Sequence, residues 1–354
     1  MAEVSNKKNE TTAIIVIIII IALLVLLLAG VFLFIRNIAL GELVAMVDDG
    51  NTAISQQQGT EDTQTIEPAL PTDEEVRMEL DSFAQNAAVR GDWIYFGYAE
   101  RDQVAVTRLS DDGTQIDRTV LEWDSWWPMI SVFDVTEEGD FLFLLRAFRD
   151  DMEAYYYVKY NVAENRLIYQ NISDQLSFDM TTVWITDALF DSAGNLIIHL
   201  WDEEVLYVVD DHGNFLARID LEAFRFSHLF RARDGQVFLL GMDDSFEWAL
   251  KGIDLDHSTL TAPQYIHESV TWIWNAYSAQ IGSSFDLYVD LDEHGFHGYD
   301  METGELTLLF YWEDIGIITD WGDDVLMLEN GRVAVIQRHS ERDRLWSELI
   351  IFTP

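Results

Sequence analysis

The stretch TVWITDALFDSAGNLIIHLWDEEVLYVVDDHGNFLARI, residues 182–219, holds four apolar runs: Thr182–Phe190, Leu196–Asp202, Val205–Asp210 and Phe215–Ile219. Each is short and rich in β-branched, aromatic or aliphatic residues, which favours extended pairing over helix. Gly194-Asn195 separates the first two runs, and Asp211-His212-Gly213-Asn214 separates the last two. Gly and Asn reach positive φ at little cost, so both connections read as tight antiparallel hairpins. The segment is a four-stranded meander.

The unit recurs. A glycine introduces an apolar strand at Gly91, Gly139, Gly194, Gly235, Gly282 and Gly331, with a mean spacing of 48 residues. Trp93-Ile94-Tyr95-Phe96 and Ala154-Tyr155-Tyr156-Tyr157-Val158 are further strands of this texture. Four-stranded units at this period bury their faces against one another, which predicts the blades of a β-propeller. Six blades are expected, starting near residues 82, 130, 181, 225, 272 and 317. A two-sheet sandwich is the competing architecture, and the near-constant repeat favours the propeller. The sixth unit holds Val325–Leu328, Val333–Gln337 and Leu345–Phe352 and then lacks an outer strand. Closure by a strand from upstream, an open blade and a downstream continuation are the alternatives.

Ahead of the repeats lies AIIVIIIIIALLVLLLAGVFLFI, residues 13–35, without a single charge. As a helix it spans about 34 Å, enough to cross a bilayer core of about 30 Å. A cleaved signal peptide has a shorter apolar region and a small-residue cleavage site, and only Ala39 and Gly41 offer one here. An uncleaved anchor is therefore expected. Lys7 and Lys8 precede the run and Arg36 follows it, so the positive-inside rule places residues 1–12 in the cytoplasm. Residues 1–36 also contain Glu3 and Glu10, a net charge of +1. The whole chain carries −42, which leaves −43 on the remainder, expected outside the cell.

Residues 36–81 read as an acidic, flexible stalk. They contain Ser55-Gln56-Gln57-Gln58-Gly59-Thr60, Pro68, Pro71 and Asp73-Glu74-Glu75, and bury too little apolar surface to offset ordering. Glu75 to Asp81 is expected to form a short helical turn. Residues 82–354 form the propeller domain. The acidic surface argues against nucleic acid and against adsorption to anionic lipid. With no cysteine, no disulfide staples the exported domain.

Gly91-Asp92-Trp93-Ile94-Tyr95-Phe96, Tyr157-Val158-Lys159-Tyr160-Asn161 and Ser347-Glu348-Leu349-Ile350-Ile351-Phe352-Thr353-Pro354 resemble propeller regions of extracellular solute-binding proteins of Clostridia-type Gram-positive bacteria. The resemblance covers about residues 82–354 and implies surface display and recognition. This chain departs from that pattern in having no lipobox cysteine and no solute-binding domain after the propeller.

No nucleophile elbow, Walker loop or zincin motif is present, so the chain is not expected to be an enzyme or to need a cofactor. His294 and His297 with Asp290, Asp292 and Glu293 form a conceivable metal set, but Asp-Glu-His-Gly is ordinary turn composition. Asp254 with Asp256, and Asp290 with Asp292, lack the ligand loop calcium requires. Aromatics are the stronger signal. Trp126, Trp127, Trp184, Trp272, Trp274 and Trp321 recur at one phase of the repeat, near the entry to each innermost strand, as do Phe224 and Phe226. With Asp124, Asp187 and Asp320 they define an expected aromatic and acidic face for a carbohydrate, peptide or protein ligand. Packing between blades is the competing role for any one ring. A scaffold docking other envelope proteins and a metal-dependent propeller hydrolase are the alternative functions.

Overall fold

A computed structural model describes residues 76–354, apart from 81–82, 101–102, 124–125, 150–151, 179–182, 184, 201–203, 222–223, 267–269, 271, 281–282, 292–294, 316–323 and 342–343. The expected membrane span, the cytoplasmic tail and residues 36–75 of the stalk lie outside the described residues. Among the described residues, no helix is long and apolar enough to cross a membrane.

The described residues form six antiparallel sheets. Five follow the sequence directly, and their first strands are Asn86–Arg90, Trp126–Val135, Ile185–Phe190, Arg225–Arg231 and Ile273–Ser278. The sixth begins with Asp324–Met327. These six first strands neighbour one another in a closed ring, so they are the inner wall of a six-bladed propeller. The meander at residues 182–219 is the third blade, with strands Ile185–Phe190, Leu196–Leu200, Val205–Val209 and Phe215–Asp220.

Alternation along each strand sends successive side chains to opposite faces, and each face meets the next blade. Phe141, Phe143 and Leu145 of the second blade pack toward the first, in one cluster with Tyr95 and Val104. Leu142 and Leu144 pack toward the third, with Phe190, Leu196 and Ile198. Six such apolar layers exist, one per blade junction, including the junction that joins sixth to first through Ile336, Ile351, Ile94 and Phe96. The core is thus spread around the ring rather than gathered in one centre.

Val76–Leu80 supplies the outer strand of the sixth blade, pairing Val76 with Ile351, Met78 with Leu349 and Leu80 with Ser347. The helical turn expected at Glu75–Asp81 is therefore a strand over Val76–Leu80, and the propeller begins at least at Val76. The cause is a period of two: Val76, Met78 and Leu80 pack against the junction with the first blade, while Arg77 and Glu79 point outward. Next along the chain, the Ala84 N–H donates to Ser347 Oγ, and Arg338 donates to the Ala84 and Gln85 carbonyls.

Five of the landmark glycines close the turn between first and second strands with φ of +61° to +87°; Gly282 is outside the described residues. In the fourth blade, Pro263 interrupts the outer strand. It splits into Thr259–Leu260 and Gln264–Tyr265, both paired to Trp248–Asp254, because proline has no N–H for the ladder.

Candidate functional site

Of the nine residues expected at the aromatic face, Asp124, Trp184, Asp320 and Trp321 are outside the described residues. Trp126 and Trp127 lie on the innermost strand of the second blade. Trp272, Trp274 and Asp187 are fully described, and the structure divides them into two places.

Trp272 and Trp274 belong to a three-ring ladder at the junction of fourth and fifth blades. Trp248, which opens the third strand of the fourth blade, is buried and meets Trp272 edge-on at 6.0 Å. Trp272 meets Trp274 at 6.2 Å and 68°. Trp272 is half-buried and packs on the apolar layer that holds Leu240, Leu250, Ile273 and Leu287. Trp274 is 44% exposed. The ladder thus runs from core to solvent. The sequence did not single out Trp248, because it sits at a different phase of the repeat. Phe224, by contrast, is buried at the junction of third and fourth blades, with the Lys251 ammonium 4.9 Å over its ring.

Asp187 sits on the innermost strand of the third blade, opposite His199, and its Oδ2 accepts the Leu229 N–H of the fourth blade at 2.7 Å. Burial pushes its carboxyl up to about 7, against the pull of the Leu229 and Ala188 N–H groups. Some of its surface still meets solvent, which softens that push. Burial also pushes His199 and His228 down to about 4, with His228 adding repulsion at His199. From about pH 4 to 7 the folded protein holds a proton on Asp187 that the unfolded chain releases, so this contribution is lost as pH rises through 7. The two histidines act oppositely, losing stability as pH falls from about 6.5 toward 4. Asp187→Asn keeps the acceptor for Leu229 and removes the ionisation. It is expected to stabilise by about 1 kcal/mol at about pH 8 and by nothing at about pH 4, the full shift being discounted for water access. Urea unfolding at the two pH values checks this.

The opposite end of the inner wall is laced by polar side chains. Arg231 Nη1 donates to Asp134 Oδ2 of the second blade at 2.8 Å and to the Phe190 carbonyl of the third at 3.3 Å. Both charged side chains are only 14% exposed. Asp134 raises the affinity of the guanidinium for its proton. Ser278 Oγ accepts the Arg231 N–H, and Gln280 reaches the Val89 carbonyl of the first blade. One strut therefore joins blades two, three and four.

Described members of the conceivable metal sets have partners within the fold. Asp290 is buried, accepting Tyr277 Oη–H at 2.6 Å and Trp312 Nε1–H at 2.7 Å. His297 Nδ1 lies 2.9 Å from the Gly295 carbonyl, and Asp292, Glu293 and His294 are outside the described residues. Asp254 accepts the His257 N–H within its own turn. Asp210, Asp211 and His212 bring three ligand atoms together, but Asp210 is occupied by the His212 and Asn214 N–H groups of a hairpin.

These features define a six-bladed β-propeller. No protein-family model matches the sequence, and no curated protein matches it. Solved structures resemble it over much of the chain. Virginiamycin B lyase from Staphylococcus aureus is 9% identical, with a TM-score of 0.44, over 79% of this chain and 100% of that one. A luciferin-regenerating enzyme is 10% identical, TM-score 0.49, over 79% and 95%. YCF48 bound to D1 peptide is 8% identical, TM-score 0.46, over 77% of each. At these identities the likeness concerns fold alone.

Proposed function

We propose that the chain is a membrane-anchored recognition protein. Residues 13–35 hold it in the membrane, and the propeller stands outside the cytoplasm and binds a carbohydrate, peptide or protein through an aromatic, acidic face. The observation that carries this reading is the ladder Trp248–Trp272–Trp274, which ends in an exposed indole. A large ring supported from behind by packed rings is a rigid contact surface that loses little entropy on binding. The resemblance to solute-binding-protein propellers supports surface display.

The test screens the protein against glycans, cell-wall fragments and peptides, then compares two variants by binding and thermal melting. Trp274→Ala is expected to weaken binding by about 1–3 kcal/mol with the melting temperature held. Trp272→Ala is expected to destabilise by about 3 kcal/mol, since its ring fills a blade junction. If Trp274→Ala lowers melting in step with binding, the indole is packing and this face is withdrawn.

A further inference from the structure

Among the described residues, seven hairpins share one hydrogen-bond pattern, in which the first residue's N–H reaches the fifth residue's carbonyl and its carbonyl accepts the fourth residue's N–H. In six of them the fourth residue is glycine with φ between +81° and +87°: Gly113, Gly139, Gly194, Gly213, Gly235 and Gly331. The seventh is Asp243-Asp244-Ser245-Phe246-Glu247, between second and third strands of the fourth blade, and Phe246 takes the glycine's place at φ +63°. The left-handed region is disfavoured for a bulky side chain, and such strain persists where surroundings or function demand it. Packing does not demand it here, because Phe246 is 69% exposed.

One exposed ring touches this hairpin, and another ends the ladder that starts beside it. Tyr265, 51% exposed, donates its hydroxyl to Asp243 Oδ2 at 3.0 Å. Trp274 connects to it through Trp272 and Trp248, the residue that follows Glu247. Positive charge is sparse: Arg225 lies 3.9 Å from Asp244, and Lys251 is buried over Phe224. The Glu247 and Ser245 N–H groups and the Tyr265 hydroxyl hold the Asp243 carboxyl below its usual range, so it stays charged.

The geometry points to Phe246, Tyr265 and Trp274 as the docking surface for a lysine-bearing peptide segment, whose methylenes lie on the rings and whose ammonium groups meet Asp243, Asp244 and Glu247. This deepens the recognition reading above and rests on it. Charge complementarity selects the occupant, since rings attract cations through their faces and the domain is strongly acidic.

The full chain in detergent is titrated at about 0.15 M salt, where diffuse attraction is screened, with fluorescein-labelled hexalysine and separately with uncharged chitohexaose. Phe246→Gly restores the residue used in the other six turns. It is expected to weaken hexalysine binding at least about tenfold while melting stays level or rises by about 2 °C. Asp244→Asn with Glu247→Gln is expected to weaken it about fivefold. Hexalysine held equally by Phe246→Gly, or not bound by the native chain, overturns the inference. Chitohexaose binding that Trp274→Ala abolishes, with hexalysine unbound, also overturns it while leaving the recognition reading intact. A fall in melting of more than a few degrees in Phe246→Gly overturns it too, by showing that the ring serves the fold.

Discussion

A chain shortened to begin at Asp81 is expected to be less stable by roughly 3–5 kcal/mol than one that begins at Glu67, net of the entropy of ordering the strand. The corresponding fall in melting temperature is about 10 °C. The residues between include Val76–Leu80, whose ladder to Arg344–Phe352 closes the sixth blade. Without it, the buried Leu349 and Ile351 lose their outer neighbours, and a sheet edge beside an apolar layer is exposed. Aggregation is expected to accompany the loss. Calorimetry and light scattering on the two truncations check this. Equal melting would mean that the first and sixth blades hold together without the outer strand.

Asp134→Ala is expected to destabilise by about 3–5 kcal/mol, because it leaves the Arg231 guanidinium buried without its charge partner. The pair is not a surface bridge of negligible worth. It joins the second and fourth blades past the third, with the Phe190 carbonyl as a further acceptor. Asp134→Ala combined with Arg231→Met removes both charges and is expected to recover most of the loss, since a matched apolar replacement removes the desolvation penalty as well. Urea unfolding of the two single variants and the double variant measures the coupling. Additive losses would show that the charges act independently.

Much of the fold was legible along the chain because blades are built from local hairpins. The strands read in the third unit and those observed agree within about three residues at their ends, and first strands begin within about seven residues of the expected blade starts. Alternating apolar residues and glycine turns carry that information over short distances. The placement of the expected aromatic residues was legible only in part. The phase of Trp272 and Trp274 placed both near the entry to an innermost strand, yet one ring is half-buried in a blade junction and the other is exposed. That difference depends on which ring lies against Trp248 of the neighbouring blade, a contact between distant segments. Phe246 carries a local signal: it stands fourth in Asp243-Asp244-Ser245-Phe246-Glu247, where the six other hairpins of this pattern have glycine.

The amino-acid sequence by itself determined the number of blades and most of their strands and turns, since hydrophobic period and positive-φ residues act between near neighbours. It also determined the uncharged run at residues 13–35 and the net charge of −42. Only the tertiary structure decided that Val76–Leu80 closes the ring, that Arg231 reaches Asp134 ninety-seven residues away, and that Trp248 backs Trp272 and Trp274. These are pairings between distant segments. A strand's own pattern says that it needs a partner and a buried face, while the identity of that partner is set by closure of the whole ring.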